Sequence, residues 1–108
     1  MARREVAAIL RSAGMPVVYQ RWPDGSAPSF PCVRYVSEGR ADFIADARNY
    51  AKVGQWSATL VSERKDDAAE AALEAALEAA HVVYAKSGDY YDDAERLNHV
   101  EYTFSLPE

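Results

Sequence analysis

Apolar residues change their spacing several times along this chain, and each change marks an element. Val6, Ile9, Leu10 and Ala13 fall three or four apart, the spacing that lines one face of a helix, so residues 3–13 are predicted helical. Gly14 and Pro16 then supply a stop. Pro16–Tyr19 reads as a short strand and Cys32–Ser37 as a second, separated by a connection that carries Trp22 and Phe30 among Pro23, Pro28 and Pro31. Alternation governs KVGQWSATLVS, where Trp56, Ala58 and Leu60 face one way and Gln55, Ser57 and Thr59 the other. It governs NHVEYTFSL as well, with Val100, Tyr102, Phe104 and Leu106 inward and His99, Glu101, Thr103 and Ser105 outward.

Between these strands, Asp66–Ala80 is built almost wholly of strong helix formers, with Asp66 and Asp67 placed at its start. Leu73 and Leu77 stack one turn apart beside Ala69, Ala76 and Ala80, a narrow face suited to close packing on a sheet. His81–Tyr84 is expected to begin the next strand. Residues 38–51 follow neither period and read as a long loop or an arm. The element order is therefore α–β–β–β–α–β–β in a single domain spanning 1–108. It predicts an α+β fold, with a mainly antiparallel sheet of about four to five strands and two helices on one face.

Composition narrows the function more by exclusion than by assignment. Twelve basic against seventeen acidic residues leave a net charge of −5, and the arginines are scattered, which disfavours binding driven by nucleic-acid phosphates. One cysteine, Cys32, forbids an internal disulfide framework, and no apolar run approaches the roughly 20 residues that cross a bilayer. The charged N-terminus reads as a helix rather than a signal peptide, because Arg11 interrupts its apolar stretch. His81 and His99 stand in unrelated contexts at no metal-ligand spacing with Cys32, and no phosphate-binding loop, dinucleotide fingerprint or nucleophile elbow occurs. The carboxylates Asp89, Asp92, Asp93 and Glu95 lack the ligand spacing of a calcium loop and read as a solvated hairpin. No catalytic residue, metal or cofactor is expected, and the chain is read as a binding or structural protein rather than an enzyme.

Two surface features remain. Glu70, Glu74 and Glu78 recur every fourth residue of the second helix, where like charges repel by a few tenths of a kcal/mol per pair. Such a row is either a solvated face or an acidic ridge that meets a basic partner or turns DNA away. The proline-bearing loop with Trp22 and Phe30 either completes the core or offers preordered anchors to a partner.

Taken in order, the motifs Met15–Tyr19, the Trp22–Pro31 loop, Trp56–Leu60 followed by Lys65-Asp66-Asp67, and the segment with Asp42, Phe43, Ala45, Asp46 and Tyr50 resemble the small tail-completion, or tail-terminator, proteins of long-tailed bacteriophages. The likeness spans nearly the whole chain, although the second helix is richer in alanine, and His81–Ala85 less aromatic, than that pattern. The resemblance implies a virion structural protein, assembled in the bacterial host cytoplasm, that forms a ring of about six subunits on the finished tail tube and joins tail to head. Its implied partners are further copies of itself, the major tail tube protein and a neck or head-completion protein, with no cofactor, no sequence-specific nucleic acid and no membrane. Trp22, Phe30, Arg34, Phe43, Tyr50, Tyr90 and Tyr91 become the candidates for oligomer or tube contacts, and Glu70, Glu74 and Glu78 for a surface facing the DNA channel. A head-completion adaptor of the same virion, or a cellular α+β protein-binding module, are the alternative readings.

Overall fold

The computed structural model describes residues 2–22, 29–40, 43–45 and 47–107, with only the backbone considered for 43–45 and 48–51. The elements are α1 (Arg3–Arg11), β1 (Val17–Tyr19), β2 (Cys32–Arg40), β3 (Phe43–Ala45), β4 (Arg48–Ala51), β5 (Val53–Ser62), α2 (Asp67–Ala79), β6 (Tyr84–Asp92) and β7 (Leu97–Pro107). Five strands form one sheet in the order β1-β2-β5-β7-β6, while β3 and β4 pair as a separate two-stranded ribbon. Only the β1–β2 pair is parallel; the others are antiparallel. This is the α+β class expected from the period changes, with one mixed edge.

Alternation decides which way each strand faces. Val33 and Tyr35 of β2, Trp56, Ala58 and Leu60 of β5, and Val100, Tyr102, Phe104 and Leu106 of β7 all turn to one side and are buried there. Val6, Ala7 and Leu10 of α1 meet them together with Leu73 and Leu77 of α2, so both apolar helix stripes are spent on one face of the sheet. Each such aliphatic side chain removed from water contributes roughly 1.5–3 kcal/mol.

The helix ends are set locally. Asp66 caps α2 by accepting the Ala69 N–H at 3.0 Å. At the other end His81 adopts a left-handed φ of 60°, its N–H donates to the Glu78 carbonyl, and Val82 donates back to Leu77. That is a Schellman ending with histidine where glycine is usual, and buried Val82 supplies its apolar contact. His81 thus terminates the helix rather than opening a strand, and β6 starts three residues later at Tyr84.

Residues 38–51 resolve into two parts. The first three continue β2 to Arg40, past an irregularity between Ser37 and Gly39, and the rest carry the β3–β4 ribbon. The radius of gyration is 14.9 Å, against about 13 Å for a compact chain of this size.

Candidate functional site

The sheet face away from the helices is where most of the predicted contact residues gather. Residues of odd partnership cross it in rows: Cys32 pairs with Val61, Val61 with His99 and His99 with Tyr90. Next to that row lie Arg34, Thr59 and Glu101. The loop aromatics fold onto one end of it. Trp22 and Phe30, both half-buried, line a cavity of about 220 Å3 with Cys32, Arg34, Val61 and His99. Trp22 and Cys32 line that cavity together. Burial pushes the Cys32 thiol above its usual range, and the neighbouring Trp22 and the Arg34 charge offset only part of the rise. Trp22 and Phe30 therefore belong to neither extreme: they cover a second, smaller apolar patch and keep part of their surface in solvent. Pro23, Gly25 and Pro28 of the same loop lie outside the described residues.

Tyr90 completes the far end of this row. Its ring stacks on His99 with centroids 5.1 Å apart and planes within 7°, and its hydroxyl donates to Glu101 Oε1 at 3.3 Å. Tyr90 is 46% exposed and Tyr91 51%, the latter next along the same outer strand. Asp42 and Asp46 lie outside the described residues, and so do the side chains of Phe43 and Tyr50, whose backbones belong to the ribbon.

The glutamate row of α2 is not an open ridge. Glu70 is 4% exposed, and its carboxylate pairs with Lys65 at 2.8 Å and with Lys86 of β6. Lys65 also reaches Asp89 of β6. Glu74 accepts from the Tyr102 hydroxyl at 2.9 Å and the Tyr84 hydroxyl at 3.1 Å, and Glu78 accepts from Tyr84 at 2.9 Å. Burial alone would raise the Glu70 carboxyl, yet the two lysines outweigh it and hold it below the ordinary carboxylate range. Tyr84 and Tyr102 are shifted upward by burial and by the carboxylates they donate to. The row is a latch between helix and outer strand, which explains why it tolerates like charges in series. Glu70 is thereby removed from the channel-facing set, Glu74 is largely engaged, and Glu78 alone of the three is exposed.

Sequence reasoning missed the lysines of this latch and the depth of His99. A bulge between Lys86 and Gly88 shifts the register of β6, turning Asp89 to the helix side and Tyr90 to the other. The signal that was available is Val61, an apolar residue among the outward positions of β5, which already marked the open face as partly covered.

No family model matches the chain, and no curated protein shows significant similarity to it. No helix among the described residues is long and apolar enough to cross a membrane.

Proposed function

We propose that this protein is a phage tail terminator, a subunit of a ring that closes the tail tube and offers a surface for joining the head. The observation that carries the reading is the β3–β4 ribbon. Among the described residues it pairs only with itself, at the end of the β2–β5 pair, and a two-stranded ribbon is marginal in water without a further surface. A neighbouring subunit in a ring supplies that surface. The outer strand β6, with Tyr90 and Tyr91 exposed beside it, offers an edge on the opposite side of the sheet for the same purpose. An arm at one end and an edge that is unpaired among the described residues at the other would suit the head-to-tail contact that a closed ring uses repeatedly.

The deciding experiment measures mass in solution over a wide concentration range, with negative-stain images, for the intact chain and for a variant in which residues 41–52 are replaced by a tight turn. Rings of about six, formed alone or on added tail tubes, and lost in the shortened variant, are the expected result. Rings that survive the deletion would remove the ribbon from the interface. A monomer that ignores tail tubes but binds the portal-side neck would favour the head-completion adaptor instead.

A further inference from the structure

The β6–β7 hairpin end holds three side chains that the ring reading does not use. Asp92, Glu95 and His99 each present one ligating atom, and these atoms lie within 4.8 Å of one another. His99 separates this group from an ordinary acidic turn. It is 4% exposed, and neither ring nitrogen has a hydrogen-bond partner among the described residues. Buried imidazole nitrogens are rarely left so. Nε2 stands 3.7 Å from Glu95 Oε1, too far for a hydrogen bond but near the roughly 3.3 Å that separates two ligands on a tetrahedral ion with bonds of about 2.0–2.1 Å.

The neighbours fix the group in place. Tyr90 lies flat on the His99 ring, which leaves the ring edge, where the nitrogens are, for other partners. Asp92 Oδ1 accepts the backbone N–H groups of Ala94 at 2.9 Å and Glu95 at 3.1 Å, orienting the carboxylate and keeping its second oxygen for a ligand. Glu95, with its side chain 57% exposed, has the freedom to close the remaining distance.

We propose that Asp92, Glu95 and His99 bind one divalent transition-metal ion of the zinc class across the β6–β7 turn. Two carboxylates and a neutral imidazole give the site a charge of −2, matched to a divalent cation, and the imidazole favours zinc or its neighbours over calcium or magnesium. The ion would clip the end of β6, the turn and the start of β7 together, since each contributes one ligand. Three protein ligands leave a coordination position open, for water or for a donor from another chain. This departs from the expectation of a merely solvated hairpin, because sequence spacing could not show that His99 is buried against the turn.

Calorimetric titration of the untagged full chain with zinc chloride tests the assignment, with cobalt(II) absorption as a second readout of coordination. Wild type and Asp93→Asn, a change in the same turn outside the trio, are expected to bind one ion per chain with equal affinity. Glu95→Gln, at an exposed position that leaves the core intact, is expected to weaken binding at least tenfold, as is His99→Gln. Zinc should also shift the nitrogen resonances of the His99 ring in wild type. Absence of saturable binding, or binding that survives Glu95→Gln unchanged, overturns the proposal and leaves the trio as a turn with a histidine–glutamate pair.

Discussion

The two faces of the sheet are built by the same strands and yet are finished differently. On one, alternate residues of β2, β5 and β7 meet two helices and vanish from solvent: Val33, Leu60, Leu73, Leu77 and Tyr102 are each no more than 1% exposed. On the other, Cys32, Val61 and His99 are buried under a loop carrying Trp22 and Phe30 and under one exposed tyrosine, around a cavity. A packed face stabilises the fold; a face covered by half-buried aromatics and polar groups keeps surface available. The difference teaches that burial alone does not mark a core, because His99 and Thr59 are as hidden as many helix-side residues.

The largest effect that would sharpen this contrast comes from truncating one residue on each side. Leu73→Ala should cost about 2–5 kcal/mol in urea unfolding, since the site is fully enclosed and collapses poorly. Val61→Ala removes two carbons and should cost only about 1.5 kcal/mol, at ~0.8 per carbon. Equal losses would mean that the two faces are packed alike.

A smaller effect concerns the latch. Glu70→Ala strips Lys65 and Lys86 of their shared carboxylate, but both ammonium groups are at least 40% exposed and return to water, so about 1 kcal/mol is expected rather than the larger penalty of a stranded buried charge. Because the folded-state carboxyl lies below its unfolded value, the native state binds fewer protons in that range. The latch contribution is then complete above the unfolded carboxylate value of about 4.3 and is lost as pH falls through the depressed one. Unfolding midpoints of wild type and Glu70→Gln should differ by a constant amount above the unfolded carboxylate value and converge as pH falls below about 4.3; a gap that stays constant down through the acid range would deny the ion pairs their role.

On the other face, the raised Cys32 thiol should react slowly with a disulfide reagent at pH 8 in the native protein and rapidly in urea. Trp22→Ala opens the cover over the cavity and should speed the native reaction about tenfold. No acceleration would place Trp22 outside the lid. The smallest change lies between the faces: His81→Gly relieves a left-handed φ and should raise stability by up to about 1 kcal/mol in thermal unfolding.

Much of the helix-covered face could be read from the chain. Leu73 and Leu77 at helical spacing, the Asp66 cap, and the alternating inward sets of β5 and β7 are local patterns, and each is found where local physics puts it. What escaped depends on long-range register. Nothing in KSGDYY announces that Ser87 is an extra residue, so the facing of Asp89 and Tyr90 was not legible, and with it the lysine latch and the stack on His99. The parallel pairing of β1 with β2 was hidden for the same reason, because the sequence from Gln20 to Pro31, with its three prolines, offers no helical spacing to signal a crossover. The burial of Glu70 and the engagement of Glu74 were not legible either, since their partners, Lys65, Lys86, Tyr84 and Tyr102, come from outside the helix.

The ribbon has a mechanical side too. A single residue, Lys52, separates β4 from β5, and β5 is the middle strand of the five. A pull on the ribbon is carried along the backbone into β5 at the centre of the sheet, where it loads the long ladder to β7 in shear, many hydrogen bonds at once, rather than peeling an outer strand bond by bond. The ribbon is thus anchored like a beam set into the middle of a wall, able to carry tension without unravelling the sheet that holds it.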